Sequence, residues 1–218
     1  MMSMHLAIRN WAKIHVLAFA RENNLTETLE AVRYAFMFHK GMLRKNGQPA
    51  FVHPFRVCQI LIFFGIKDDA TLAAALLHDV LEDVSKNAID VLRGRFSQRV
   101  VDLVEILTKT QEMDVKEYCR LIGNNPFAVL IKLADRIHNL RNMIKNLGAD
   151  EFFSCERLIR QTQETADFIV KLPYLAIFRE KDFPSDCPLD YFRIMDLMAR
   201  ELNQTVHVSR VIIADLVV

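Results

Sequence analysis

The run Thr71-Leu72-Ala73-Ala74-Ala75-Leu76-Leu77, followed at once by His78-Asp79-Val80-Leu81-Glu82-Asp83, constrains this chain more than any other stretch. Its first half is apolar on nearly every face, and a helix of that kind must be covered on all sides by other elements. Its second half brings ionisable groups out of the same helix. At about 100° per residue, His78, Asp79, Glu82 and Asp83 share an arc of roughly 140°, with Leu77, Val80, Leu81 and Val84 opposite. A charge run on a helix is most often a solvated face, but carboxylates rising from a buried helix are costly without partners. Ser85-Lys86-Asn87 predicts the helix end just after Val84, so the three acids also sit near the negative end of its dipole. Positive charge is needed there. A metal ion on His78 and Asp79 is the economical source, because imidazole with carboxylate suits divalent manganese, iron or zinc.

Helices able to cover that stretch are predicted along the whole chain. Residues 3–21 carry Trp11, Ile14, Leu17 and Ala18 at helical spacing, and Thr26 is placed to cap a second helix that Gly41 stops. Residues 41–53 read as a loop with Asn46-Gly47 as its turn; Pro54 then suits the first position of a third helix and pushes His53 into an extended conformation. Gly65 ends that helix, and Asp68-Asp69 precede the central one as caps. Further helices are expected over 89–96, 98–107 and 112–122. Asn125-Pro126 supplies a cap and a first-turn proline for a strong helix over 127–143. Another covers 151–170, ending before Pro173, and a last one 189–202, while 182–188 is linker-like and the Val- and Ile-rich tail 206–218 has the composition of a strand. With no repeat and no βαβ alternation, the chain reads as an all-α helical bundle. Residues 1–180 are expected to form one domain, with 181–218 a C-terminal helix and tail packed on it.

A length of 218 residues suffices for one well-buried core, and the scarcity of Gly and Pro, six of each, fits a helical chain. The net charge of +1 offers no bulk attraction to nucleic acid or membrane, so electrostatic specialisation has to be local. Cys58, Cys119, Cys155 and Cys187 are too widely spaced for a Cys-x-x-Cys metal site or a dense disulfide framework, and are expected to be reduced thiols in a cytoplasmic protein. His5, Arg9, Lys13 and His15 interrupt the apolar N-terminal segment, leaving neither a signal-peptide core nor a membrane span of about 20 apolar residues.

The local specialisation is visible where acids are missing. Between Glu30 and Asp68 there are none, while Arg33, Lys40, Arg44, Lys45, Arg56 and Lys67 all lie there. Between Glu117 and Asp150 the sole acid is Asp135, among Arg120, Lys132, Arg136, Arg141 and Lys145. Convergence of these segments on the acidic helix would make a pocket for an anion beside a metal, and phosphate is the natural anion for Arg and Lys donors. His53 taken alone is more often a capping or core histidine than a ligand. Asp135 is more telling, because an unpaired carboxylate on a buried helix is rare and needs a cation. Asn139 follows it on the same face, and His138, roughly 60° round the helix, reads as structural.

The loop histidine, the His-Asp pair and the later Asp form the pattern H…HD…D in three stretches. These are His39…Arg44-Lys45-Asn46-Gly47-Gln48-Pro49…His53-Pro54, then Leu77-His78-Asp79-Val80-Leu81-Glu82-Asp83, then Lys132-Leu133-Ala134-Asp135-Arg136-Ile137-His138-Asn139-Leu140-Arg141. On them, residues 31–173 resemble the HD-domain metal-dependent phosphohydrolases. The closer resemblance is to the hydrolase domain of the Rel/Spo alarmone enzymes and to the small alarmone hydrolases.

That resemblance implies a metal, usually manganese though another divalent ion is open, held by His53, His78, Asp79 and Asp135. It implies that Glu82 and Asp83 orient and activate the attacking water. It places Arg44, Lys45, Asn46 and Asn139 on a guanosine nucleotide, Arg44 by stacking on the base and Asn139 through the ribose or a phosphate. The implied reaction removes the 3′-pyrophosphate of guanosine tetra- or pentaphosphate to give GDP or GTP. The chain departs from the family loop Arg-Lys-Ser-Gly-Glu-Pro-Tyr at Ala50, and from a common Gln at Gly41-Met42; both changes lie on the nucleotide side, outside the metal set. Two other readings remain: the same site acting on an adenosine alarmone, a 5′-nucleotide or NADPH, and a catalytically silent module that binds a nucleotide. No nucleic-acid motif is visible, the chain is expected to lack room for a synthetase domain, and a homo-oligomer is left open.

Overall fold

The computed structural model describes residues 2–44, 47–149, 151–177 and 190–217. Among them the regular elements are all helices, and the one β-type pairing is an isolated antiparallel bridge between Leu43 and Pro49. The chain divides into two compact units, Met1–Thr110 and Gln111–Val218. The expected boundary near residue 180 and the linker-like 182–188 lie outside the described residues.

The first unit is built round the apolar run. Helix α4 (Asp69–Leu77) has every residue from Ala70 to Leu77 buried, because α2 (Thr26–Phe38), α3 (Val52–Phe63) and α7 (Gln98–Leu107) all pack on it. Helix α1 (Met2–Glu22) lies on α2 and α3, and the short α5 (Val80–Asp83) leads to α6 (Ala88–Arg93). Deleting any one of the fully buried Leu72, Leu76 or Leu77 side chains would cost about 2–5 kcal/mol.

Helix ends in this unit are tied to one another. Asp68 is the predicted cap of α4: its backbone is extended, its carboxylate accepts the Thr71 N–H at 2.8 Å, and Arg99 pairs with it at 2.9 Å. Asp69 turns away from its own helix. Its carboxylate accepts the backbone N–H groups of Glu27 and Thr28 at 2.9 and 2.7 Å, so the start of α2 is capped from α4 and Thr26 is not the cap. The Glu27 carboxylate in turn accepts the N–H of Ser97, the residue preceding α7, at 2.7 Å. Gly41 and Gly65, at φ of 78° and 94°, follow α2 and α3 in the left-handed conformation that suits glycine.

Two local expectations are corrected. The acidic stretch is not one continuous helix: α4 stops at Leu77, His78 and Asp79 form a turn, and α5 is a single turn after them. His53 is helical, not extended, because α3 begins at Val52 and takes Pro54 as its third residue. A proline there forfeits nothing, since first-turn N–H groups have no acceptor within the helix.

In the second unit, α8 (Val115–Gly123) leads to α9 (Pro126–Lys145), whose start is as predicted. The Asn125 side chain accepts the N–H groups of Phe127 and Ala128 at 3.0 and 3.1 Å, with Pro126 in the first turn. A 3₁₀ turn (Glu151–Phe153), α10 (Cys155–Asp167), a second 3₁₀ turn (Ile169–Lys171) and α11 (Leu172–Ile177) follow. Helix α12 (Asp190–Val217) packs on α9 and α10 and runs through the tail in which composition suggested a strand. Its buried residues Tyr191, Met195, Met198, Ala199, Leu202, Thr205, Val206 and Ser209 recur at helical intervals, so packing decides the conformation. Among the described residues no helix is long and apolar enough to cross a membrane.

Candidate functional site

The turn between α4 and α5 presents His78 and Asp79 to the first turn of α3. His53 and His78 are buried, and their Nε2 atoms lie 3.3 Å apart. The Asp79 carboxylate closes the group, with Oδ2 at 3.3 Å from His53 Nε2 and Oδ1 at 3.0 Å from His78 Nε2. Burial of α4 fixes one imidazole in particular. His78 Nδ1 is 2.8 Å from the carbonyl of Ala75, one turn back, so in the neutral ring that nitrogen carries the proton and donates it. Its Nε2 is then a bare lone pair facing a carboxylate oxygen. Electron pairs from an imidazole and a carboxylate directed at one another are the donor set of a divalent cation, and the second-nitrogen hydrogen bond to a backbone carbonyl is how metal-bound histidines are oriented.

The two acids of α5 are placed differently. The Glu82 carboxylate accepts the backbone N–H of Lys109 at 2.5 Å, which fixes it from the end of α7. Asp83 bonds through its own N–H to the Asp79 carbonyl at 2.8 Å. Loss of hydration and then the Asp79 charge raise its carboxyl above the usual carboxylate range, against the opposing pull of His39, Arg44 and His53. Arg44, one of the predicted nucleotide contacts, is thereby within electrostatic reach of Asp83. Its loop is held by Arg44 N–H to the Gln48 carbonyl at 2.7 Å and Ala50 N–H to the Met42 carbonyl at 2.9 Å. Lys45 and Asn46 lie outside the described residues.

His39 stands at the head of the loop pattern, where the resemblance assigns it no role. It is buried after the last turn of α2, its Nδ1 2.8 Å from the Ala35 carbonyl, and it acts on Asp83. Only its place ahead of the basic loop could have drawn attention to it. Where the family loop has an aromatic residue, Ala50 is buried, and Phe51 beside it packs edge-on to Phe36 and Phe55, with centroids at 5.3 and 6.2 Å.

In the second unit Asp135 is 5% exposed on α9, and both its oxygens have partners. Lys132 Nζ pairs with Oδ2 at 2.8 Å, and the Asn139 amide donates to Oδ1 at 2.6 Å. The cation that sequence reasoning required for this carboxylate is thus supplied in part by Lys132, one turn away. Burial disfavours the Lys132 ammonium, but the Asp135 charge, Tyr118 and the hydrogen bond to Asp135 together hold the group above its ordinary range. The Tyr118 ring of α8 covers the same ammonium at 5.3 Å. Asn139 therefore has a defined carboxylate to orient, a task its predicted substrate role did not include.

The family described as "HD domain" matches residues 31–120. Those residues form an HD domain. The HD domain contains His53, His78, Asp79, Glu82 and Asp83, while Asp135 and Asn139 lie beyond the matched segment. Among curated proteins, the chain is 31% identical over 165 residues to a probable GTP pyrophosphokinase of Mycobacterium leprae, covering 72% of this chain and 20% of the relative. It is 32% identical over 162 residues to a GTP pyrophosphokinase of Streptomyces coelicolor, covering 68% and 18%. The chain thus spans about a fifth of the length of these relatives. A solved structure of a metazoan ortholog of SpoT, described as hydrolysing ppGpp with a role in starvation responses, superposes with a TM-score of 0.58 at 24% identity, covering 80% of this chain and 94% of that one. The HD domain fold and the resemblance to the Rel/Spo group agree with the expectations drawn from the three sequence stretches.

Proposed function

We propose that this protein is a manganese-dependent hydrolase of the 3′-pyrophosphate of (p)ppGpp, acting in the cytoplasm and yielding GDP or GTP with pyrophosphate. The observation that carries the reading is the facing of His53 Nε2, His78 Nε2 and the Asp79 carboxylate within an HD domain, at 3.0 to 3.3 Å. The choice of substrate is supported by the ppGpp hydrolysis described for the metazoan SpoT ortholog and by the guanosine-nucleotide names of the curated relatives.

His53, His78 and Asp135 are all buried and each offers one ligand atom of the kind a divalent ion takes; with Asp79 they are the proposed metal ligands. When bound, such an ion lowers the pKa of its water and neutralises charge on the departing pyrophosphate. Lys132 and Asn139 hold the Asp135 carboxylate in one orientation. Glu82, fixed by the Lys109 N–H, orients the attacking water, and Asp83 takes its proton. The raised proton affinity of Asp83, to which burial and then the Asp79 charge contribute, suits it to that exchange. Arg44, with Lys45 and Asn46, receives the guanosine end, and Asn139 is retained as a contact to ribose or phosphate. Residues 1–180 carry these groups, with 181–218 a supporting extension.

The test is pyrophosphate release from guanosine tetraphosphate by manganese-loaded protein. Turnover should be lost with chelator, regained with manganese, and abolished in a folded Asp135→Ala variant. Absence of turnover in metal-replete protein would overturn the proposal. A parallel panel of an adenosine alarmone, 5′-nucleotides and NADPH separates the substrate alternatives, and tight binding without turnover would mark a nucleotide-binding regulator.

A further inference from the structure

A second recess lies wholly within the second unit and contains none of the proposed metal-site, catalytic or nucleotide-binding residues. It is a cavity of about 310 Å³ walled by Lys116, Cys119, Arg120 and Gly123 of α8, by Asn124, and by Asp167, Phe168 and Lys171 where α10 gives way to the following 3₁₀ turn. Its volume is at the lower end of the range of small-molecule sites. Three cations face one carboxylate there, and among the described residues Lys116, Arg120 and Lys171 have no ion-pair partner. The rest of the wall is mainly apolar, with Phe168 and Cys119 among its residues. Arg120 belongs to the acid-poor stretch that sequence reasoning directed at the metal site, so part of that positive charge has a separate destination.

The wall also connects to the second unit's buried carboxylate. Tyr118, on α8 between Lys116 and Cys119, covers the Lys132 ammonium at 5.3 Å, and Lys132 holds Asp135 at 2.8 Å. A displacement of α8 would be felt by Lys132.

We propose that this cavity binds a small organic anion with an aromatic body, of nucleoside-monophosphate size, and that its occupancy tunes Asp135 through Tyr118 and Lys132. The binding half stands by itself; the tuning half rests on Asp135 being a metal ligand, as proposed above. In binding, the ring stacks on Phe168 while Arg120 and Lys171 meet the phosphate.

The probe is adenosine 5′-monophosphate, titrated calorimetrically into the full chain, with adenosine as the uncharged control. The nucleotide should bind at least about ten-fold more tightly than the nucleoside. In metal-free protein, Arg120→Glu and Phe168→Ala should each weaken it about ten-fold or more, and Asp79→Ala should leave it unchanged. Equal affinity for adenosine, insensitivity to both wall variants, or loss in Asp79→Ala would overturn the site. If either wall variant unfolds, Lys171→Glu, on the opposite wall, gives the same readout. For the coupling, saturating nucleotide should shift manganese affinity, and manganese should shift nucleotide affinity by the same factor. Independent binding of the two overturns the coupling, whatever the outcome of the turnover assay.

Discussion

Asp69 caps a helix that is not its own: from the first turn of α4 its carboxylate accepts the N–H of Thr28 at 2.7 Å and the Thr28 hydroxyl at 2.7 Å. The Glu27 N–H, at 2.9 Å, shares the same carboxylate. Asp69→Ala leaves two backbone donors unmet at the start of α2, the Thr28 hydroxyl keeping the carbonyl of residue 69 at 3.2 Å, and should lower stability by about 1–3 kcal/mol, read as a fall in the urea midpoint with an unchanged slope. Manganese affinity of the folded fraction should not move. An unaltered midpoint would mean that water replaces the carboxylate without cost.

Because the Ala75 carbonyl orients the His78 ring, removing that ring should act on metal binding more than on folding. His78→Ala is expected to lower manganese affinity by more than about 100-fold, measured by calorimetry on chelator-stripped protein. The unfolding midpoint serves as the control for a collapsed turn.

Asn139 separates two roles. If its 2.6 Å bond to Asp135 is the reason it is there, Asn139→Ala should weaken manganese binding by about 10–100-fold at unchanged KM for nucleotide. If the amide serves the ribose instead, KM rises and metal affinity stays.

The residues that carry signals of their own were legible in the sequence. Asn125-Pro126, Asp68, Gly41 and Gly65 act through local backbone chemistry, and the structure uses all four as helix ends. The His-Asp turn had no such signal: no glycine or proline marks the break at His78, because buried packing on α4 imposes it. Asp69 and Lys132 were misread for a related reason, since their partners are set by tertiary contact and by a side-chain rotamer, neither of which sequence spacing fixes. The tail followed composition into a strand, but the burial of Val206 and Ser209 on one face of α12 overrode the preference of Val and Ile.

Asp83 gives a pH dependence whose sign follows from its raised carboxyl. In metal-free protein the folded state holds that proton more tightly than the unfolded chain does. Native stability is therefore lost as pH rises from the ordinary carboxylate range through the raised value. Asp83→Asn does not ionise, so it should be more stable than the parent at neutral pH and no different well below the carboxylate range. The side chain is solvent-accessible, so the gain should stay below about 1 kcal/mol. Thermal melts of both chains between pH 3 and 8, without metal, measure it. Manganese should reverse the ranking if Asp83 works as proposed.

The Ala75 carbonyl that pins His78 belongs to the helix on which α2, α3 and α7 are packed. Half of the proposed ligand pair is consequently anchored to the innermost core and not to a surface loop. In hydrogen exchange, the amides of this helix should open only with complete unfolding of the unit, and denaturant should abolish metal capture in one cooperative step with no gradual loosening beforehand.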